Sequence, residues 1–255
     1  MKKSLVLSLG IIFTLFCFYC TSAYAEDMSF EIRWFNPSID ADAKSDSINY
    51  RNGSVDFKDD LGMGDKAVPE FNLQVNKNIR VKYMKLSNSG YAALKGRLEF
   101  DNKVYDAGAA VSSDLDISYL RAAWMRPLVN TDTIKTNWLL ELKGFKIDGS
   151  VTGVDSTGRM VSSSEKFTGV IPTLGLGIKS KLDKKGNFTA SAEVTGLPLG
   201  GYGGIYDMEA ELKYSLVEDF NIAVGYRAFK LKAKHSDEEV NYKFDGPYFG
   251  LQYEF

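Results

Sequence analysis

The stretch Glu70-Phe71-Asn72-Leu73-Gln74-Val75-Asn76 alternates polar and apolar residues at every position. Because successive side chains of a β-strand point to opposite faces of a sheet, its three apolar residues share one face and its four polar residues share the other. The polar segment Asn76-Lys77-Asn78 follows, and the alternation resumes over 79–83. The sequence therefore predicts a β-hairpin with one apolar and one polar surface.

The same alternation recurs along most of the chain. Further strands are predicted over 30–34, 137–143, 169–179, 188–195, 208–216, 222–227 and 247–255. Short turns are predicted at 76–78, 129–133, 183–187 and 217–219, and long polar links at 39–66, 88–111, 148–166, 196–205 and 235–243. Four turns and five links join ten strands, and eight strands are the alternative if the first or third pair is divided wrongly.

The composition excludes several classes of protein. The chain has 255 residues, of which 44% are hydrophobic, 25% charged and 13% aromatic, and its formal net charge is −2. It lacks the several apolar stretches of about 20 residues that a helical membrane protein needs. The aromatic content argues against disorder, and the near-zero net charge gives no basic surface for nucleic acid.

The first 25 residues are predicted to be a signal peptide. Two lysines precede a long apolar run, and Ala23 and Ala25 supply the small residues at the cleavage site. Cleavage after Ala25 leaves 26–255 as the mature chain. Cys17 and Cys20 are removed with the signal, so we expect no disulfide and no cysteine metal site. Bulky residues before each cysteine disfavour lipid attachment.

A soluble β-sandwich also alternates apolar and polar residues. Here the polar face combines charges of both signs with small spacers such as Gly175, Gly177 and Gly225, a mixture that suits a narrow lumen. Alternating short turns and long links are typical of outer-membrane barrels, as are aromatic residues at strand ends. Those aromatic residues are Trp34, Tyr83, Trp124, Trp138, Phe188, Tyr214, Phe220, Tyr226, Tyr253 and Phe255. We therefore predict an all-β fold, a transmembrane antiparallel up-and-down β-barrel over 26–255.

One predicted strand, over 112–128, has an irregular pattern. Asp114 and Asp116 share one phase, whereas Arg121 falls in the other. Two interpretations stay open: a bulge near Tyr119, or an upper part of the strand that stands above the bilayer.

The end of the sequence, Gly250-Leu251-Gln252-Tyr253-Glu254-Phe255, resembles the assembly signal of Gram-negative outer-membrane β-barrels. The matching residues are Leu251, Tyr253 and Phe255, which share one phase. Within that class the chain resembles the small OmpA-like and OmpW-like barrels. The resemblance implies recognition by the barrel-assembly machinery through the last strand and an outer-membrane location with both termini periplasmic. It also implies contact with outer-membrane lipid and lipopolysaccharide.

The polar face of the predicted barrel would enclose a network of charges. Side chains of this length can meet across the axis of a ten-stranded barrel, and narrow barrels usually fill with side chains. We therefore expect a salt-bridged lumen with a structural role, and a narrow polar path for passive transport is the alternative. The predicted network consists of Glu31, Arg33, Glu70, Arg80, Lys82, Arg121, Glu141, Lys143, Lys179, Glu193, Glu209, Glu211, Lys213, Arg227 and Glu254.

We expect no enzymatic activity, no cofactor and no metal site. The alternative is an outer-membrane hydrolase or acyltransferase acting on lipid A or phospholipid, and it depends on His235, the only histidine. A catalytic partner could come from another loop, such as Asp155 or Ser163, but such roles are set by spatial geometry. One histidine with scattered carboxylates is weak support for a metal. The loop aspartates at 56, 59, 60 and 65 could bind divalent cations or face lipopolysaccharide, although a solvated loop is favoured.

Overall fold

The computed structural model describes residues 28–44, 48–50, 54–100, 103–235 and 238–255 and is almost entirely β-structure. The predicted signal peptide, with Ala23 and Ala25, lies outside the described residues. Within these residues, no helix is long and apolar enough to cross a membrane. The strands are β1 Ser29–Phe35, β2 Ser38–Lys44, β3 Ile48–Asn49, β4 Val55–Asp56, β5 Val68–Asn76, β6 Ile79–Ala93, β7 Leu98–Phe100, β8 Lys103–Tyr105, β9 Ala110–Asn130, β10 Ile134–Val154, β11 Met160–Lys181, β12 Phe188–Pro198, β13 Gly203–Val217, β14 Phe220–His235 and β15 Glu238–Glu254.

Ten strands close into an antiparallel barrel in the order β1, β5, β6 and then β9 to β15. β15 returns to pair with β1, with Glu254 opposite Ser29 and Tyr248 opposite Phe35. Closure matters because lipid offers no hydrogen-bond partner to an unpaired strand edge. The predicted all-β, ten-stranded barrel is confirmed, and the eight-stranded alternative is wrong.

The two ends of the barrel differ in their connections. Tight turns after β5, β9, β11 and β13 lie at the end that also holds Ser29 and Glu254, here called the turn end. The opposite end, the loop end, carries the remaining links. Two segments there, predicted as long loops over 148–166 and 235–243, are mostly paired strand, so those boundaries were wrong.

Those boundaries failed because the inward and outward faces exchange character part-way along the barrel. Met84 on β6, Tyr119 on β9 and Phe145 on β10 all point inward and lie opposite one another at one level. On the turn-end side of this level the inward side chains are charged. On the loop-end side they are mostly apolar, with the buried Asn88 and Ser113 as exceptions, and the outward side chains become charged, as in the exposed Lys85–Asp116 pair at 2.7 Å.

This exchange explains the irregular sequence pattern over 112–128, which lies in β9. The register of β9 against β6 and β10 runs without a shift through Tyr119, so the first of the two interpretations, a bulge near Tyr119, is wrong. Leu115 and Ile117 are buried inward while Asp114 and Asp116 point outward, and Arg121 is inward further down. The interpretation in which the upper part of the strand stands above the apolar band agrees with this arrangement.

The chain between β1 and β5 folds over the loop end. β2 continues β1 beyond Asn36 and pairs with the upper half of β15. Leu61 and Met63 then turn inward and are buried in the apolar cluster. Gly90 on β6 permits this packing, because a Cβ there would lie 2.1 Å from the carbonyl oxygen of Leu61. The loop end of the interior is therefore filled by side chains from both wall and loop.

Candidate functional site: a charged layer inside the barrel

A layer of buried charges crosses the middle of the barrel. Its members occupy inward positions because each lies in phase with the polar face of its strand, two residues from the next inward side chain. Five cations and six carboxylates among the described residues are connected by ion pairs of 4 Å or less. This central cluster consists of Arg33, Lys82, Arg121, Lys143 and Arg227 with Glu31, Glu70, Glu141, Asp207, Glu209 and Glu211.

Arg33 on β1 contacts four carboxylates. Its Nε lies 2.8 Å from Glu31 Oε1, Nη1 lies 2.5 Å from Glu209 Oε1 and 3.3 Å from Glu70 Oε1, and Nη2 lies 2.6 Å from Glu211 Oε2. The guanidinium carbon also sits 4.4 Å from the ring centre of Tyr248. A planar guanidinium with several fixed donors can serve several acceptors at once, which a lysine cannot do in the same geometry.

Arg227 on β14 forms the second centre of the cluster. Its Nε and Nη2 donate to the two oxygens of Asp207 at 3.0 and 2.8 Å, a bidentate pair, and Nη1 donates to Glu70. The side chain is fully buried against the rings of Tyr119 and Phe244. Charge-assisted bidentate pairs are the strongest class of side-chain hydrogen bond, so this contact fixes β14 against β5 and β13.

The remaining cations link the acids of the central cluster. Arg121 reaches Glu141 at 2.8 Å and Glu209 at 3.3 Å, and Lys82 donates to both oxygens of Glu209. Lys143 bonds to Glu141 and lies 3.1 Å from Asp207. Neutral donors also bond to the carboxylates, as the charge removed from water requires. Tyr119 donates to Asp207, Tyr248 to Glu209 and Glu211, Thr195 to Glu141, and Asn72 to Glu31.

Five predicted residues lie outside the central cluster. Arg80 and Glu193 form a separate bidentate pair, with both bonds at 2.6 Å. Nearer the turn end, Lys213 donates to Gln252 at 2.5 Å and lies 3.8 Å from Glu254. Lys179 is also at the turn end, and the described residues give it no ion pair.

The sequence prediction missed one charged member, Asp207, and the neutral donors Tyr119, Tyr248, Asn72 and Thr195. Asp207 shares the phase of Glu209, and this phase is the signal that could have identified it. It was missed because the strand was predicted to begin at 208, whereas β13 begins at Gly203.

The interior above the charged layer is apolar. Rings of Phe229 and Phe244 stack at 4.6 Å between centroids, and Tyr119 stacks on Phe145 at the same spacing. Leu61 from the loop packs into the same cluster. The charged layer therefore lies beneath a filled apolar layer, within the described residues.

The outer surface carries the apolar residues that the alternation places there. Leu140, Leu142, Leu174, Leu176 and Val224 are exposed around the wall. Rings lie near both edges of this band, with Trp124, Trp138, Phe188, Tyr214 and Tyr253 toward the turn end and Trp34, Tyr83 and Tyr226 toward the loop end. An apolar band bounded by aromatic residues is typical of a lipid-facing barrel.

The residues considered for catalysis occupy separate places. His235 ends β14 opposite Glu238, and its side chain lies outside what the structure describes. Ser163 is buried and bonded to Tyr105 at 2.9 Å. Asp155 lies in the β10–β11 turn, where the side-chain hydroxyl and backbone N–H of Thr157 and the backbone N–H of Arg159 lower its pKa to about 2. A carboxylate so fully ionised is a weak proton acceptor at neutral pH.

The loop aspartates accept hydrogen bonds and form ion pairs within the segment between β1 and β5. Asp56 accepts backbone N–H bonds from Lys58 and Asp59, and Asp65 accepts from the backbone of Ile39 and pairs with Lys58 at 2.8 Å. The Lys58 ammonium holds the pKa of Asp65 below its usual range. Within the described part of the chain, no group of three or more histidine, cysteine or acidic side chains is arranged to hold a metal.

Comparison with solved structures yields outer-membrane barrels. The outer membrane protease OmpT from Escherichia coli matches with a TM-score of 0.57 at 10% identity, over 92% of this chain and 98% of OmpT. The translocator domain of the autotransporter NalP from Neisseria meningitidis scores 0.41 at 9% identity over 100% and 97% of the two chains. Ail, the attachment invasion locus protein of Yersinia pestis, scores 0.36 at 10% identity over 88% and 99%.

No protein-family model and no curated protein matches the sequence. The likeness to OmpT concerns the fold alone. Together with the closed ten-stranded barrel, it confirms the predicted fold of a Gram-negative outer-membrane β-barrel. Assignment to the OmpA-like or OmpW-like group stays a prediction.

Proposed function

We propose that this protein is a structural barrel of the outer membrane whose interior holds the wall rigid and gives no open path for solutes. The observation that carries the proposal is the filling of the interior. Every cation of the central cluster is paired with at least one carboxylate, and the aromatic cluster around Phe229 and Phe244 lies above it. A conducting barrel needs a continuous hydrated path, and paired side chains occupy that space here.

Planar-bilayer recording tests this proposal against the alternative of narrow passive transport. Refolded protein is first checked by its altered migration in unboiled SDS samples, since a closed barrel resists the detergent. We expect no stepwise currents from protein that passes this check. Reproducible steps of one size would contradict the structural role and favour the transport alternative.

Both termini and the short turns are proposed to face the periplasm. The support is their common position at the turn end, since outer-membrane barrels place short turns on the periplasmic side. Because Cys17 and Cys20 belong to the predicted signal, single cysteines can report orientation. A membrane-impermeant maleimide should label Thr157→Cys on intact cells and Lys184→Cys only after permeabilisation. The reverse pattern would overturn the orientation.

Contact with lipopolysaccharide is proposed at the upper edge of the apolar band. Lys230 on β14 and Lys243 on β15 lie directly opposite each other and point outward, two outward positions closer to the loop end than Tyr226, and Lys243 also lies 3.1 Å from Asp245. Paired cations at this height suit the phosphates of the outer leaflet. Added lipopolysaccharide should raise the thermal midpoint of the wild type more than that of Lys243→Gln, and equal shifts would count against this contact.

The proposal includes the absence of enzymatic activity. OmpT is a protease with this fold, but a shared fold does not transfer chemistry. Purified protein should leave peptides and phospholipids intact over many hours. Hydrolysis that is lost in His235→Ala would overturn this part of the proposal and support the enzyme alternative.

A further inference from the structure

The turn end of the barrel contains a cavity of about 190 Å³. Four inward lysines line it: Lys135 from β10, Lys179 and Lys181 from β11, and Lys213 from β13. Since one ordered water needs roughly 10–15 Å³, this space holds several waters or a small ion. We call it the basic vestibule. Its other lining residues are Asp132, Thr133, Gly186, Thr189, Ser215, Asn221 and Glu254.

Two lysines of the basic vestibule face each other across neighbouring strands. Lys135 lies directly opposite Lys179 in the β10–β11 register, and both project to the inner face. Like charges directly across an antiparallel pair are destabilising. Unlike the buried cations of the central cluster, these two lysines are exposed to water at the mouth of the barrel, so solvent screens their repulsion without supplying an opposite charge.

Neutralising partners are scarce at this level. The described residues give no ion pair to Lys135, Lys179 or Lys181, whereas Lys213 contacts Gln252 and lies 3.8 Å from Glu254. Against these four ammonium groups the lining offers two carboxylates, those of Asp132 and Glu254. The basic vestibule therefore keeps a formal excess of two positive charges.

The basic vestibule is closed on its inner side. Glu193 on β12 lies opposite Gly177, the inward residue next above Lys179 on β11. Its carboxylate is held by both Nη atoms of Arg80 at 2.6 Å. A solute that enters from the turn end thus meets an ion pair instead of a continuing path. This geometry is that of a binding pocket with one entrance.

We propose that the basic vestibule binds a small oxyanion of the phosphate type, carrying two negative charges. Its charge matches the excess of the lining, and its oxygens can accept from several lysine ammonium groups at once. Lysine is a well-known partner for phosphate, acting as a point charge with three donors. Bound between Lys135 and Lys179, the anion replaces their repulsion with two attractions. This site goes beyond the structural role and does not depend on it.

Calorimetric titration with inorganic phosphate tests the proposal on the refolded mature chain in an uncharged detergent at fixed sodium chloride concentration. We expect saturable binding by the wild type and at least a tenfold weaker affinity for Lys179→Gln. Lys166→Gln is the matched control, because it removes the same charge from the exposed outer surface of β11 at the loop end, and it should bind as the wild type does. Absence of saturable binding, or equal weakening in both variants, would overturn the site.

Thermal unfolding tests the proposal independently, through the direction in which Lys179→Gln changes the unfolding midpoint. Without phosphate, Lys179→Gln should unfold at a higher temperature than the wild type, because the repulsion from Lys135 is gone. Phosphate should raise the midpoint of the wild type and leave that of Lys179→Gln almost unchanged. A midpoint lowered by Lys179→Gln without phosphate would show that the lysine is satisfied within the protein, and the proposal would fail.

A vesicle experiment separates a free anion from a lipid headgroup. The wild type and Lys179→Gln are reconstituted in phosphatidylcholine with and without phosphatidylglycerol, and their midpoints are compared. We expect phosphatidylglycerol to shift both proteins equally, because the basic vestibule opens to water. A shift confined to the wild type, without any response to inorganic phosphate, would identify a lipid headgroup and overturn the proposed ligand.

Discussion

Replacing Arg227 by leucine tests whether the central cluster stabilises the barrel. The side chain is 1% exposed, and its guanidinium donates to both oxygens of Asp207 and to Glu70. Leucine keeps part of the apolar volume beside Phe244 and removes all three bonds. The cluster then holds four cations against six carboxylates, so its charge deficit grows by one.

The expected loss of stability depends on which partners Asp207 and Glu70 retain in the variant. Breaking a buried ion pair on one side typically costs about 3–5 kcal/mol, because an uncompensated charge stays behind. Here Asp207 retains Lys143 at 3.1 Å and the hydroxyl of Tyr119, and Glu70 retains Arg33 at 3.3 Å. We therefore expect Arg227→Leu to lower the free energy of unfolding by about 3 kcal/mol, the lower end of that range.

Urea unfolding in lipid vesicles, followed by tryptophan fluorescence, measures this loss. Tyr226→Arg is the outward control: an arginine facing lipid costs about 2–4 kcal/mol at the midplane and about 0–1 kcal/mol near the interface. Because Tyr226 bonds to the outward Asp245, it lies near the interface, and we expect the smaller figure. A loss below about 1 kcal/mol for Arg227→Leu would mean that water already solvates these carboxylates, and the buried-cluster argument would be refuted.

Three further changes test the barrel at other points. A lipid-soluble thiol reagent should label Tyr226→Cys and spare Arg227→Cys, and the reverse labelling would place the phase of β14 one residue off. Deletion of Phe255, whose exposed ring contacts Tyr253 at 5.0 Å, should lower outer-membrane levels in cells but permit refolding in vitro, and normal levels in cells would remove the assembly argument. Gly90→Val should displace the loop at Leu61 and make it sensitive to protease, because its Cβ overlaps that carbonyl oxygen; unchanged protease resistance would contradict the packing.

The strands and the barrel could be predicted because their signals are local. Alternation with period two identifies a strand that has one face in an apolar solvent, and each stretch reports this independently of its neighbours. The pairing within the lumen is not local. Arg80 meets Glu193 across 113 positions of sequence and Arg33 meets Glu211 across 178. The sequence pattern placed these side chains on one face, but only the closed barrel determines which acid each base meets.

The wrong strand ends have a different cause. Within the apolar band the inward residues are polar, and beyond Met84, Tyr119 and Phe145 they are apolar, so the two halves of a strand have opposite patterns in one continuous register. A segment such as 148–166 was therefore predicted as a polar loop, because its charges point outward into water. The physical change is in the solvent around the strand, and the backbone continues unaltered.

The glycine-rich segment 196–205 was also assigned incorrectly from the sequence, and here the cause is its glycine content. Glycine usually weakens a strand, so the segment was predicted as a loop and Asp207 fell outside the predicted β13. In the structure the ring of Tyr206 lies over Gly196, its cross-strand partner on β12. A Cβ at Gly196 would come within 2.8 Å of that ring, and a Cβ at Gly204 would lie 3.1 Å from it. A side chain at Gly196 would therefore force the ring or the neighbouring strand to shift, and one at Gly204 would press on the same ring. The same residues that suggested a loop thus allow β13 to extend upward and carry Asp207 to Arg227.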